Sequence, residues 1–183
     1  MSIKTLIDTI ESSQEFKEFK KEHKKTVLYS AFLLIRQAFG NLIVETQQLD
    51  YWLGDEEVAE FFIDDKGNVK FKIDKLEPSK EKNRVFTELD KRILEVEELD
   101  KLIIKEIGKN SSEVKEVSKI ICVLQKIDGK QVWNITCIIG LSMLRFHLDM
   151  NGKVTESKKG SLFDVVSVEP GKGSKNKKLE KKK

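Results

Sequence analysis

The chain is poor in cysteine, arginine, histidine and proline, and the first two shortages each remove a class of function. Its two cysteines, Cys122 and Cys137, form no C-x-x-C pair and have no histidine at ligand spacing, which excludes a zinc site. Only 4 arginines accompany 30 lysines among the 183 residues. Arginine supplies the bidentate contacts by which proteins recognise guanine, so a sequence-specific nucleic-acid reader is not expected.

A signal peptide and a membrane span are also missing from the sequence pattern. Acidic and hydroxyl side chains interrupt the apolar residues of the N-terminus, which does not resemble a secretory signal. The longest apolar run, residues 27–44, contains Arg36 and Gln37 near its middle. We therefore expect a buried or interfacial helix there rather than a membrane span, and a cytoplasmic location.

What the chain does have is charge, and the charge is unevenly distributed. Residues 171–183 carry seven lysines and one glutamate, a local charge of +6, so a total of +3 leaves 3 − 6 = −3 for residues 1–170. The basic end predicts either a disordered solubilising tail or a salt-sensitive contact with RNA, DNA or an anionic surface. The tail lysines are Lys172, Lys175, Lys177, Lys178, Lys181, Lys182 and Lys183.

Apolar spacing predicts three helices. Ile3, Leu6, Ile7 and Ile10 have the spacing of a short amphipathic helix. A capping box at Ser12 predicts a second, long and largely buried helix that continues to Gly40. A third amphipathic pattern predicts a helix over residues 83–108.

Alternating segments predict antiparallel hairpins. One hairpin is centred on "DDKG" at residues 64–67, and a meander connects "KIICVLQKI", "KQVWNITCIIG", "LSMLRFHLDM" and "KVTESKK", with "LFDVVSV" as a candidate final strand. A two-residue turn at Asp128 and Gly129 would place Cys122 opposite Ile135. The two thiols would then be diagonal, roughly 7 Å or more apart, which predicts free buried cysteines rather than a disulfide.

The pattern F-x-[IL]-D-x-x-G-x-V occurs twice, at residues 61–69 and 146–154. Two interpretations are open: independent use of the same turn chemistry, or duplication of a helix-plus-hairpin unit. Neither copy has the alternating acidic positions and distal glutamate of a calcium loop.

Residues 85–166 weakly resemble the PepSY and cystatin-like class of domains. The resemblance is carried by the helix "RVFTELDKRILEVEELDKLIIKEI", the strand "KQVWNITCI" and the segment "LRFHLDMNGKV". It implies one helix lying across a curved antiparallel sheet, and a non-catalytic binding or regulatory role. No active-site residues are carried over with it.

The other polar candidates lack the neighbouring side chains that a catalytic site would need. His23 and His147 are the only histidines; His23 falls in a predicted helix, and His147 lies beside Arg145 on the predicted outer face of a strand. No nucleophile or acid can be placed beside either from the sequence. An acidic run follows Tyr51 and Trp52, and a solvated rim is its expected role. The run contains Glu56, Glu57, Glu60, Asp64 and Asp65. No catalytic, cofactor-binding or metal-binding residues are predicted.

Together these patterns predict an α+β protein with long helices packed on an antiparallel sheet. The predicted units are an N-terminal helical unit with a hairpin (1–78), a helix plus meander sharing its core (79–169), and a disordered basic tail (170–183). The predicted function is a non-enzymatic binding or scaffold module that uses its sheet surface or an oligomer interface, with a protein partner or self-association. The alternatives are a nucleic-acid-associated accessory protein acting through the tail, and a small-molecule enzyme with a cleft at Tyr51, Trp52 and Glu56.

Overall fold

A computed structural model describes residues 2–38, 41–54, 56–76, 86–92, 99–110 and 117–162. Within these ranges the chain forms three helices and eight strands. The helices are α1 (Ile3–Ser12), α2 (Gln14–Glu22) and α3 (Leu99–Asn110). The strands are β1 (Val27–Ala38), β2 (Asn41–Gly54), β3 (Glu57–Ile63), β4 (Val69–Lys75), β5 (Val117–Ile127), β6 (Lys130–Ile139), β7 (Ser142–Asp149) and β8 (Val154–Ser161).

The eight strands form one antiparallel sheet in the order β4-β3-β2-β1-β5-β6-β7-β8. Strands β1–β4 make one meander, strands β5–β8 make a second, and the first strand of each pairs with the other. Phe32 of β1 lies opposite Val123 of β5. Two residues away on one side Ser30 pairs with Gln125, and two residues away on the other side Leu34 pairs with Ile121. The two meanders are therefore matched about an approximate two-fold axis at Phe32 and Val123, so residues at equivalent strand positions of the two halves can be compared.

One face of the sheet, which we call the inner face, packs against the helices. The ring of Phe16 in α2 lies 5.0 Å from that of Tyr51 and 5.2 Å from that of Phe61, between ring centroids. Ile103 of α3 is fully buried in the same core. Alternate residues of each strand build this core, as a pleated strand requires. The fully buried members from the second meander are Ile120, Cys122, Leu124, Trp133, Ile135, Cys137, Leu144, Phe146 and Leu148.

The predicted long helix from Ser12 to Gly40 is wrong. Helix α2 ends at Glu22, and the apolar run forms strand β1. A bulge between Leu28 and Ser30 breaks the alternation, so that Ser30 and Ala31 are both buried. A central strand with apolar residues on both faces and a bulge lacks a clear period of two, and its apolar residues can be fitted to a helix.

The predicted helix over 83–108 is wrong over residues 86–92. Helix α3 begins at Leu99, and residues 86–92 run against the sheet instead. The N–H of Leu89 donates to the carbonyl of Leu28 at 2.9 Å, and the ring of Phe86 stacks on Trp52 with centroids 5.3 Å apart. Phe86 and Leu89, which have helical spacing in the sequence, instead cover the end of β1.

The predicted fold class, with long helices packed on a sheet as in cystatin and PepSY domains, is wrong as well. The three helices have 10, 9 and 12 residues, whereas the strands form a continuous eight-stranded sheet. The unit that occurs twice is a four-stranded meander, not a helix plus a hairpin. The predicted first helix and hairpins are confirmed, as is the register that places Cys122 opposite Ile135.

The two copies of the F-x-[IL]-D-x-x-G-x-V motif occupy matched hairpins, β3–β4 and β7–β8. In both, the aspartate Oδ1 accepts from the backbone N–H groups two and four residues later, at 2.9 and 2.8 Å for Asp64 and 2.9 and 2.9 Å for Asp149. Gly67 and Gly152 have φ of 82° and 76°, a conformation that glycine adopts without strain. The motif is thus one turn placed at the same point of each meander.

Candidate functional site

The outer face of the second meander carries a cavity of about 480 Å³, which we call the outer-face pocket. This volume lies within the range of about 300 to 1,000 Å³ that is usual for ligand sites. Polar residues that alternate with the buried core residues of β6 and β7 point into it, together with charged residues of the exposed edge strand β8. The lining residues are Asn134, Thr136, Arg145, Phe146, His147, Glu156 and Lys158.

The polar residues of the pocket form two rows across the three strands. Thr136, Arg145 and Lys158 lie opposite one another in the first row. In the second row, Asn134, His147 and Glu156 are likewise aligned, and Nδ1 of His147 is 3.4 Å from Oε2 of Glu156. Because neighbouring strands are only about 4.8 Å apart, the side chains of one row can contact the same ligand.

The cations of the first row face solvent. Arg145 and Lys158 are both exposed, and no carboxylate lies within ion-pair distance of either among the residues that the structure describes. Glu156, the acid of the second row, is placed beside His147 instead. A guanidinium presents a planar fork of donors that fits a carboxylate or a phosphate, and an ammonium adds a second positive charge.

On the matched surface of the first meander, charged side chains form ion pairs with one another. Glu60 occupies the position that matches Arg145, and Lys72 matches Lys158. Nζ of Lys72 lies 2.8 Å from Oε2 of Glu60 and 2.8 Å from Oδ2 of Asp74. These hydrogen bonds, first to Asp74 and then to Glu60, raise the pKa of Lys72. The lysine in this half therefore already has acidic partners.

Asp50 in the first meander occupies the position that matches Thr136. Burial raises the pKa of its carboxyl, although Gln48 Nε2 donates to its Oδ1 at 2.6 Å and Ser30 also supplies a hydrogen bond. Nearby Glu60 raises the pKa further. This half of the outer face is therefore acidic and internally bonded, while the other half is basic and open.

The structure does not bring the predicted cleft residues together. Tyr51 lies on the inner face, is buried, and donates its hydroxyl to Oε1 of Glu11 at 3.0 Å. Trp52, the next residue, lies on the outer face against Phe86. Glu56 lies in the turn between β2 and β3 with φ of 68°. The tail lysines, and with them the predicted polyanion contact, lie outside the described residues.

The remaining candidates have structural positions. His23 ends α2, where its ring stacks on Phe19 with centroids 4.5 Å apart. Both cysteines are buried and unpaired, and burial raises the pKa of Cys137 to about 12. A thiol held in its protonated form is a poor nucleophile. Asp64, from the predicted acidic rim, binds the backbone of its own turn.

The outer-face pocket was not predicted from the sequence, although His147 was placed beside Arg145 on an outer face. The available signal was the polar half of the alternation in "LRFHLD" and "KVTESKK". That signal gives the face on which each side chain lies. It does not give the cross-strand register that aligns Thr136, Arg145 and Lys158.

Metal ligation and membrane crossing have no support within the described ranges. No cluster of three or more side chains suited to a metal ion occurs in them, and none of the helices in them has the length and apolar content that a membrane crossing requires. The predicted cytoplasmic location stays a prediction.

Known proteins offer little to compare with this chain. No protein-family model matches it, and no curated protein matches it. One similar solved structure is described as a "putative lipoprotein" from Clostridium difficile 630. It is 16% identical, covers 80% of this chain and 90% of its own, and has a TM-score of 0.42. A likeness at that level carries no argument about function, and the resemblance to PepSY and cystatin-like domains stays a prediction.

Proposed function

We propose that this protein is a binding module whose outer-face pocket holds an anionic group, a carboxylate or a phosphate, of its ligand. The observation that supports the proposal is the contrast between matched positions. Lys72 and Glu60 are ion-paired at 2.8 Å, whereas Lys158 and Arg145 line a cavity of about 480 Å³ without an acidic partner among the described residues.

Each side chain of the pocket has a role in such binding. Arg145 would donate two parallel hydrogen bonds to one anionic group, and Lys158 would add charge from the next strand. The Thr136 hydroxyl and the Asn134 amide are short, partly buried donors that would orient the ligand. His147, held beside Glu156, bounds the other side of the pocket. Hydrogen bonds to charged groups contribute about 1.5 to 3 kcal/mol each, so the loss of either cation should weaken binding measurably.

The test is a titration of the whole protein with inorganic phosphate and with citrate, followed by NMR shifts of the β6–β8 amides and by calorimetry. We expect saturable binding of at least one anion. Arg145→Met and Lys158→Met should each weaken it about tenfold or more, which corresponds to about 1.4 kcal/mol. Phosphate binding without citrate binding would indicate a phosphate ligand, and the reverse result a carboxylate ligand.

Lys159→Met is the matched control, because Lys159 is the next residue of β8 and lies opposite Leu144 on the inner side. It removes the same charge from the same strand without touching the pocket. The proposal is wrong if neither anion shifts the β6–β8 amides, or if Lys159→Met weakens binding as much as Lys158→Met.

A further inference from the structure

The two edges of the sheet differ in what they expose. At one edge, β4 presents Phe71 and Ile73, each 42% exposed, on the inner face. At the other edge, β8 presents polar or charged residues at the corresponding places, Ser157 and Lys159. In the described part of the chain, no strand pairs with the free side of β4. An edge strand with half-exposed large apolar side chains is a template for pairing with another strand.

The backbone of β4 shows which groups are available at that edge. At the hairpin turn, the N–H of Asp64 donates to the carbonyl of Asn68 at 2.9 Å. Hydrogen-bonded pairs alternate along an antiparallel ladder, so Lys70, Lys72 and Asp74 direct their N–H and C=O groups toward β3. The backbone groups of Phe71 and Ile73 therefore point away from the sheet, toward a new strand.

We propose that two copies of this chain associate by antiparallel pairing of β4 with β4, centred on Lys72. In this register Val69 lies opposite Lys75 of the second copy, and all seven residues of the strand are paired. On the inner face, Phe71 lies opposite Ile73 of the other copy, and the two-fold axis repeats that contact. The apolar surface that each edge exposes is thereby covered by the other.

The charges on the outer face favour this register. Lys70 lies opposite Asp74 of the second copy, and this opposite-charge pair is also formed twice. Lys72 would face its counterpart at the axis, but each Lys72 is already bonded to Glu60 and Asp74 at 2.8 Å. A shift of two residues in one direction would set Lys70 against Lys72. A shift in the other direction would set Phe71 against Lys75.

The occupant is a second copy rather than an unrelated strand because the edge complements itself in both its apolar and its charged pairs. A seven-residue strand pair is smaller than a standard protein interface of about 800 Å² per partner, so we expect a weak, concentration-dependent dimer. The joined sheet would have the helices of both copies on one face. Both outer-face pockets lie at the far ends, so this inference does not depend on the proposed function.

The experiment is sedimentation equilibrium of the full chain, with two charge-reversal variants, Lys70→Asp and Asp74→Lys. Each variant places like charges at both outer-face contacts, and we expect the dimer dissociation constant to rise about tenfold or more. The double variant restores both pairs and should recover the dimer. An equimolar mixture of the two single variants should form a heterodimer, since each outer-face contact then joins an acidic side chain of one copy to a basic side chain of the other.

Lys159→Asp, at the opposite edge, is the control and should leave the dimer unchanged. Far-ultraviolet circular dichroism checks that every variant keeps the sheet. The inference is overturned if the wild-type protein is monomeric at every concentration, or if both single variants dimerise as the wild type does. It is also overturned if the double variant and the mixture both fail to recover, because the contact then lies elsewhere or has another register.

Discussion

The two meanders follow the same path but carry different chemistry. They share strand order, register about the central pair, and the aspartate-glycine turn between their third and fourth strands. On the outer face, however, Glu60 of the first meander is matched by Arg145 of the second, and Lys70 is matched by Glu156. The inner-face pattern and the turns therefore do more to specify this path than the outer face does, since the outer face tolerates a reversal of charge between the halves.

The cores under the two meanders differ as well. Phe61 in the first meander lies in a cluster of aromatic rings, with centroids of Phe16, Phe19, Tyr51 and Phe71 between 5.0 and 5.4 Å away. Phe146, its counterpart, has no aromatic neighbour at that distance among the described residues. The core of the first meander therefore has a cluster of ring contacts around Phe61, which the core around Phe146 lacks among the described residues.

The largest effect should come from truncating these matched phenylalanines. Phe61→Ala and Phe146→Ala each remove a fully buried ring and should cost about 3 to 5 kcal/mol of unfolding free energy. Phe61→Ala should cost about 1 kcal/mol more, because it also removes several aromatic pairs. Urea unfolding measures both. An equal or larger loss for Phe146→Ala would contradict the extra contribution of the ring contacts around Phe61.

The matched turns should respond equally to loss of glycine. Gly67→Ala and Gly152→Ala each force a Cβ into the left-handed region and should cost about 1 to 2 kcal/mol. At Gly67 no atom lies within 4 Å of the added Cβ, so the cost there is backbone strain alone. Gly108→Ala in α3 is a control of opposite sign, expected to stabilise by about 0.4 to 1 kcal/mol. Thermal unfolding would refute the equivalence of the turns if only one of the two substitutions destabilises.

A smaller effect should distinguish Asp50 from its uncharged counterpart Thr136. Burial raises the pKa of Asp50, so its contribution to stability is fully present below the ordinary aspartate value of about 3.9 and is lost as pH rises through the raised value. The stability of Asp50→Asn relative to wild type should therefore increase over that interval. Thr136→Ser serves as the pH-independent control. A stability difference that does not change with pH would disprove the assignment.

The smallest effect should separate the two matched lysines. Lys72→Met removes an exposed ion-paired ammonium and should cost at most about 0.5 kcal/mol. Lys158→Met removes an ammonium with no acidic partner among the described residues and should leave the unfolding free energy unchanged. Chemical unfolding in low and high salt checks both, since salt should abolish the Lys72 effect. A loss at Lys158 that exceeds the loss at Lys72 would overturn the contrast on which the pocket rests.

Much of the second meander was predictable, because its signals are local. The turn at Asp128 and Gly129 determines the register of β5 and β6, and both residues have positive φ as a tight turn demands. The first strand was not predictable in the same way. Val27–Ala38 is central in the sheet and bulged, so the regular alternation that identifies a strand is absent.

The candidate site was predictable only in part. Alternation places Arg145 and His147 on the face opposite Phe146, and that face was predicted from the sequence. The alignment of Arg145 with Thr136 and Lys158 depends on the pairing of three strands, and the bulge between His147 and Leu148 shifts that pairing by one residue. Charge reversal between the halves is visible only once their positions are matched.

The turns, the short first helix and the inner-face residues of most strands were predictable from the local sequence, because they follow from steric preferences and periodicity within a few residues. Three features emerge only in the folded chain: β1 pairs with β5, a single sheet joins the two meanders, and residues 86–92 lie against β1 instead of continuing a helix. These outcomes depend on contacts between residues far apart in the chain. Burial gained across such contacts outweighs local helix preference, and it leaves Arg145 and Lys158 side by side on an open face.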